Sequence, residues 1–586
     1  MSHFPRKSSL ELLQSECKHS RADSSNNLSM DTFWLEVESI KESTESEPEE
    51  FNIVDAKPPE EGEAEAEWLQ DAGLSDLIGD RTEENGNIVL LSTLTKTQAA
   101  AVQRRLDTYT RSRRKKNKQP IRDVRDIFGV VGSGIEPEME TEMGRLHCRA
   151  SSNTIQKSDT MGIQDFTSPL RGSVREELFN TEIAYSEQAA ILLKGSFPRD
   201  SRRIKDESFL PKFRIPKGRL GVTKIGDLSQ QDMKKIPTLA LIELTALCDV
   251  LSLELKRNKA VKRKATEHKL FGVPLGTLLE NDQKLLPNTR LLSCLEKKGL
   301  DTEGILRVSG SQSRIKSLEQ KLESEFYTGY FQWDEVHQND VSGLLKRFIR
   351  ELPAPLLTAE YLPAFSAVQN IPDLKQRLQA LNLLILILPE PNRNTLKALL
   401  EFLRLVVTRE RKNKMNLWNV STVIAPNLFM HKGLPNKIPE GKEKQLAEGA
   451  ADIVRMMIHY QDLLWTVSSF LVAQVRKLNE SSSRKYQFYD RRIKNLLRKI
   501  HADKEKTEKN HSEDLSFVMD NGSVDSMNLL LYEVGGNISE HCLDPDTYLL
   551  DLYHVNPHAE WVIRPNPSFS RMFCDDHPGK NPTKFC

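Results

Sequence analysis

Between residues 273 and 475 the apolar residues recur at the three- and four-residue spacing of helix faces. Leu291, Leu292 and Leu295 mark one face, Ile315, Leu318 and Leu322 a second, and Leu345, Phe348, Ile349 and Leu352 a third. Leu378, Leu381, Leu384, Ile385 and Leu388 follow, then Leu396, Leu399, Leu400, Leu403, Val406 and Val407. Val420, Val423 and Ile424 make another face, and Ile453, Val454, Met457 and Ile458 begin the last. Pro, Asn and Gly separate these segments and strand-like alternation is scarce, so the pattern predicts an all-helical domain with an ample core. Upstream, Leu239, Leu241, Ile242, Leu244, Leu247 and Val250 form an apolar helix after Pro237. Thr95 and Gln98 make a capping box ahead of Ala99, Val102 and Leu106, which predicts a helix from Thr95.

The remaining chain is organised around that domain. Residues 1–94 read as an acidic, disordered region, because Ser and Glu dominate and too few apolar groups are present to offset the entropy of ordering. Two apolar islands interrupt it: Phe33-Trp34-Leu35, and Trp68-Leu69 with Leu74, Leu77 and Ile78. A Trp in such surroundings is a docking motif or part of a transient helix. Residues 95–118 read as an amphipathic helix with a basic end, 119–227 as mostly linker, and 228–272 as a helical segment and basic connector. After the helical domain at 273–475, residues 476–510 read as a basic helix and 511–586 as a small C-terminal unit and tail. The runs LLLYEVGG, YLLDLYHV and AEWVIRP in that unit are β-prone with turn signals between them, as in a small β-rich or ubiquitin-like module. The expected fold class is therefore mostly α, with a long disordered N-terminal arm and a small C-terminal region containing strands.

Composition changes this picture chiefly through charge. The 586 residues hold 83 Lys+Arg and 83 Asp+Glu, for a net charge of zero, which excludes a uniformly basic nucleic-acid binder. The zero is a sum of opposites. Residues 1–100 hold 8 basic and 22 acidic side chains, whereas 101–120 hold 8 and 1, and 484–509 hold 10 and 4. Seven cysteines without a C-x-x-C pair fit a reducing compartment. The spacing of Cys574, His577 and Cys586 matches no standard zinc finger, so no metal is expected. The N-terminus has no apolar signal core, the run LNLLILIL is too short to span a bilayer, and the C-terminus carries no prenylation box, so a soluble cytoplasmic protein is expected. No phosphate-binding loop, nucleophile elbow, zincin motif or dinucleotide fingerprint occurs. The expectation is a chain without a cofactor or an independent catalytic site.

Three polar features inside the helical domain are hard to explain by packing. Lys346 and Arg350 stand at i and i+4 with Arg347 between them. Like charges at that spacing disfavour a helix unless something anionic meets them, and a solvated face eased by Glu351 is the alternative. Arg307 lies between Gly304 and Gly310 in TEGILRVSG, as a loop would hold a guanidinium out to something else, although an ordinary surface or ion-paired Arg fits too. Pro426 is expected to stop a helix after Ile424, placing Asn427 on a helix-end turn with its amide reaching outward.

Taken with VPLGTLL at the start, the stretches TEGILRVSG, GLLKRFIRELPAPLL and WNVSTVIAPNLF resemble, in order and spacing, the Rho-type GTPase-activating domain. The flanks resemble the subgroup of Rho GTPase-activating proteins 18, 28 and 40, number 28 most of all. The resemblance implies an arginine finger at Arg307, which a Rho-family GTPase in its GTP form would receive in trans. It implies GTPase-binding roles for Lys346, Arg350 and Asn427. Leu306 stands where the family often has Phe, and Ala425 where it often has Gly; both changes leave the polar groups in place. The implied function is GTPase activation, with RhoA the expected substrate and limitation of actin stress fibres the expected consequence. The alternative is a non-catalytic scaffold for the GTP-bound form, recruited to anionic membrane through basic clusters at 111–118, 256–264 and 484–499.

Overall fold

The computed structural model describes residues 30–45, 62–77, 85–117, 176–194, 210–254, 270–281, 287–328, 330–430, 443–481 and 529–566. The basic connector 256–264, the basic stretch 484–509 and the Cys574–His577–Cys586 group lie outside these residues. The longer helices are α1 (Asp31–Glu45), α2 (Glu63–Asp71), α3 (Asn85–Thr93), α4 (Lys96–Asn117), α5 (Tyr185–Lys194) and α6 (Ile236–Val250). They are followed by α7 (Leu275–Asn281), α8 (Pro287–Lys298), α9 (Gln312–Glu325), α10 (Gln338–Glu351), α11 (Leu362–Ala367) and α12 (Leu374–Ile387). The series ends with α13 (Glu390–Thr408), α14 (Leu417–Phe429), α15 (Glu443–His459) and, near the C-terminus, α16 (Leu549–Val555). The fold is mostly helical, as the periodicity predicts.

Helices α6 and α12 pack on each other at the centre. Both are apolar around most of their circumference, so each needs cover on several sides. Helices α4 and α5 cover α6, while α8, α10, α13, α14 and α15 form the adjoining layers. A single apolar core runs from Phe33 and Trp68 through Leu244 and Leu384 to Val475. No helix among the described residues is long and apolar enough to cross a membrane.

The acidic arm departs from its composition. Helices α1, α2 and α3 form within residues 1–94, which were expected to be disordered, and Trp68, Leu69 and Leu74 are buried at 3% exposure or less. Average composition hid them because the apolar residues sit in short clusters that are covered by distant partners; the Trp68 indole N–H donates to Thr245 Oγ1 at 3.0 Å. The expected capping box is present: Thr95 N–H donates to Gln98 Oε1 at 3.0 Å and Gln98 N–H to Thr95 Oγ1 at 3.3 Å. The inward face of α4 is nevertheless Gln98, Ala101 and Val102, and Ala99 is exposed.

The stretch read as linker also contributes to the core. Strands β1 (Glu176–Leu178) and β2 (Lys212–Arg214) pair in parallel, and α5 places a fully buried Tyr185 whose hydroxyl donates to Asn382 Oδ1 at 3.2 Å. The two strands are too short to display a period. Further on, β3 (Thr223–Lys224) pairs with β4 (Thr466–Val467) and ties this region to the end of the helical domain.

At the C-terminus β5 (Leu529–Gly535), β6 (Ile538–Cys542) and β7 (Glu560–Pro565) form an antiparallel sheet in the order β6-β5-β7. The run YLLDLYHV, expected to be β-prone, supplies helix α16 instead. Leu552 is the deeply buried residue of that helix, while Leu549, Leu550 and Tyr553 stay exposed.

Glu243 gives the fold a pH dependence. Its carboxylate lies in the core and accepts from Ser186 N–H at 2.7 Å and from Gln98 Nε2. Burial pushes its pKa up to about 7, against the opposing hydrogen bonds from Ser186 and Gln98. An acid whose folded pKa exceeds its unfolded value favours folding fully below the unfolded pKa, and that contribution is lost as pH rises through the folded one. Thermal unfolding of the chain and of Glu243→Gln, followed from pH 5 to 8, should show the variant gaining on wild type as pH rises. A constant difference would mean that Glu243 does not titrate in this window.

Candidate functional site

The loop between α8 and α9 carries Arg307, and its backbone is shaped to turn that side chain outward. Gly304 has φ +68° and its N–H donates to the Asn413 carbonyl at 2.8 Å, which fixes the base of the loop. A Cβ at Gly304 would lie 2.6 Å from Val308 Cγ2, so glycine is required both by conformation and by space. Leu306 also adopts a positive φ, +70°, which is strained for a side chain of its kind and costs on the order of 1–3 kcal/mol. The inversion buries Leu306 completely, beside the equally buried Ile305, and leaves Arg307 exposed. Among the described residues Arg307 makes no ion pair.

Two clamps hold the loop. On one side the Lys346 ammonium donates to the Leu306 carbonyl at 3.1 Å, immediately before Arg307. On the other, Asp340 in the first turn of α10 accepts from Ser311 N–H at 2.9 Å and from Arg314 Nε at 2.6 Å. Gly310 has no side chain because a Cβ there would sit 2.3 Å from Asp340 Oδ1. Asn413 completes the support with side-chain donors to the carbonyls of Leu300 and Val406, each at 2.8 Å.

Lys346, Arg350 and Asn427 converge beside this loop. All three are buried, at 6%, 9% and 3% exposure, rather than forming the outward cationic edge and outward amide expected from sequence. Asn427 lies inside α14, not on a turn after it. Pro426 removes one backbone donor without ending the helix, which continues to Phe429; Asn427 Nδ2 donates to the Val423 carbonyl at 2.8 Å, and Met430 N–H donates to the Pro426 carbonyl at 2.9 Å. The Asn427 amide oxygen accepts from Arg350 Nη1 at 2.7 Å. Arg347, between the two buried cations, pairs with Glu319 and Glu351.

The anion that meets these cations comes from α1. Glu36 Oε2 accepts from Lys346 Nζ, and Glu36 Oε1 accepts from Arg350 Nη1 at 3.3 Å and Asn427 Nδ2 at 3.1 Å. Burial lowers the pKa values of Lys346 and Arg350, and the Glu36 charge opposes that effect in both. Sequence reasoning singled out the island beside Glu36 but not Glu36 itself, nor Asp340 and Asn413. These are polar residues whose partners lie far away or in a loop, and only the Phe33-Trp34-Leu35 island signalled any of them. No group of metal-ligating side chains occurs among the described residues.

Three stretches of the chain match known family models. Residues 287–433 match the family model described as the RhoGAP domain. Residues 474–566 match an RHG40-like, C-terminal ubiquitin-like domain, and 41–117 match a Rho GTPase-activating protein 18-like, N-terminal SAM domain. The chain is 56% identical over 601 residues to human Rho GTPase-activating protein 40, spanning 92% of this chain and 88% of that one. It is 45% identical to human Rho GTPase-activating protein 18, over 93% and 90% of the two chains. Human Rho GTPase-activating protein 28 is 38% identical, over 92% and 89%. Identity to number 40 thus exceeds identity to number 28, reversing the order read from the flanks.

Proposed function

The chain belongs to the Rho GTPase-activating protein family, and from that premise we propose that it stimulates GTP hydrolysis by a RhoA-type GTPase, with Arg307 as the finger supplied in trans. The observation that carries this reading is the contrast between an exposed Arg307, without an ion pair among the described residues, and the buried supports that hold its loop. In GTP hydrolysis negative charge spreads over the transferring phosphoryl group and the leaving oxygens, while the GTPase provides its own phosphate-binding loop, Mg²⁺ and water-orienting residue. Arg suits the missing position because its planar fork donates to several oxygens and stays ionised. Lys346 would position the finger through the Leu306 carbonyl and, with Arg350 and Asn427, would engage the GTPase. Acting in the cytoplasm, the protein would switch off Rho signalling and limit stress-fibre assembly.

Single-turnover GTP hydrolysis by RhoA-, Rac- and Cdc42-type GTPases tests the reading, using the full chain and its Glu36→Ala form. Acceleration is expected, greatest for the RhoA type. A different order of preference would overturn the substrate assignment. If both forms bound the GTP state without accelerating any GTPase, the protein would be a scaffold instead.

A further inference from the structure

The groups assigned above to the GTPase are already occupied by the chain's own α1. Glu36 is 7% exposed, and one carboxylate meets Lys346, Arg350 and Asn427 together. Met30, Phe33 and Val37 are buried on the same side, and α1 packs along α14, the helix that carries Asn427. The opposite side is open: Leu35 is 65% exposed. We propose that α1 is an intrasteric inhibitor, an acidic amphipathic helix that fills the GTPase-docking surface and must leave before a GTPase can bind. The proposal rests on the assignment of that surface to the GTPase.

Three features favour a displaceable helix over a permanent part of the core. First, among the described residues one Glu36 carboxylate takes up the three groups that a GTPase would use, so its contacts and the docking contacts exclude each other. Second, the apolar hold rests on one side of a single helix: Met30, Phe33 and Val37 are its deeply buried apolar residues, with Trp34 packed partly against the core. Third, the arm is complementary in charge to the surface it covers, because residues 1–100 carry 22 acidic and 8 basic side chains. Arg307 is not among the groups that Glu36 contacts. Inhibition therefore acts by removing the docking contacts and leaves the finger exposed.

A surface that is open only a fraction of the time binds its partner more weakly in proportion to that fraction, so about 90% closure lowers apparent affinity about tenfold. The experiment uses the full chain, Glu36→Lys, and the double variant Phe33→Ala/Val37→Ala. Glu36→Lys sets a third cation against Lys346 and Arg350, and the double variant loosens the apolar hold without touching the charges. Two readouts are taken: hydrogen exchange of residues 30–41, and kcat/KM for stimulated hydrolysis on the GTPase panel. Both variants should exchange faster than wild type over 30–41 and should raise kcat/KM about tenfold. Addition of Arg307→Ala to either should remove that gain.

Faster exchange with an unchanged or lower rate would overturn the proposal, leaving α1 a passive structural helix. Wild-type exchange that is already unprotected, or protection that neither variant loosens, would overturn it equally. If wild type and variants alike fail to accelerate any GTPase, the activator reading falls and the inhibition falls with it. The two failures are distinguished by whether the wild-type chain accelerates hydrolysis at all.

Discussion

Arg307→Ala is expected to lower the stimulated rate of GTP hydrolysis by about 10³–10⁵, with little loss of GTPase binding and little change in stability. The kinetic part follows from where charge develops: the guanidinium would act on the transition state and much less on the ground state, so the loss should appear in kcat. A factor of that size corresponds to about 4–7 kcal/mol of transition-state stabilisation. The stability part follows from the loop. Arg307 is exposed and forms no ion pair among the described residues, while the loop is held by Gly304 on Asn413, by Leu306 on Lys346 and by Ser311 on Asp340. Truncation of an exposed side chain on such a frame usually changes stability by no more than about 0.5 kcal/mol. Single-turnover hydrolysis together with equilibrium binding to a GTPase loaded with a non-hydrolysable nucleotide separates the two effects. Arg307→Lys should restore little of the rate, because an ammonium offers a point charge where the fork reaches several oxygens. Equal loss of rate and binding in Arg307→Ala would instead assign Arg307 to docking.

The helical domain was legible because periodicity is a local property: the apolar faces named from sequence at 291–295, 315–322 and 345–349 each lie on a helix, with Leu352 just past the end of the last. The four candidate residues Arg307, Lys346, Arg350 and Asn427 stand out in the sequence because each breaks a packing pattern or stands at a turn signal. Their surroundings were less legible. A proline ordinarily ends a helix, yet here α14 carries Pro426 in its interior and runs on to Phe429 because its neighbours are packed in the core. Lys346 and Arg350 were read as facing outward because their counter-charge, Glu36, is 310 and 314 residues away in sequence. No window-based reading contains such a pair. The same distance explains the acidic arm, where Trp68 looks isolated until Thr245 is brought to it by the fold. Short elements such as β1 and α16 escaped for a different reason, since three to seven residues cannot establish a period.

Glu533→Ala should release the C-terminal unit from the rest of the molecule, at a cost of about 3–5 kcal/mol, the range typical for removing one partner of a buried ion pair. Arg476, on the helical residues 469–481, makes two parallel hydrogen bonds to Glu533 on β5, at 2.6 and 2.7 Å, and both side chains are buried. Asn556 Nδ2 donates to Glu533 Oε1 at 2.7 Å, Arg476 Nη1 donates to Asn537 Oδ1 at 2.7 Å, and His541 Nδ1 lies 3.5 Å from Glu533 Oε2. Burial alone would raise the Glu533 pKa, but Arg476, His541 and Asn556 outweigh it and hold the carboxyl down to about 2. A folded pKa below the unfolded one means that this stability is present above about pH 4.5 and is lost as pH falls toward 2. At neutral pH the pair is therefore fully engaged, and Glu533→Ala leaves the Arg476 guanidinium buried without its carboxylate. Replacing both partners with apolar residues often rescues a lone buried pair. Rescue should be incomplete here, because Asn537 Oδ1 would lose its Arg476 donor and Asn556 Nδ2 its Glu533 acceptor in the same pocket, although both side chains keep other hydrogen bonds. Hydrogen exchange should show residues 529–566 opening in Glu533→Ala and in the double replacement, while the α10 and α14 segments that frame Arg307 keep their protection. Loss of protection across both regions at once would mean that the C-terminal unit and the helical domain unfold as one cooperative body.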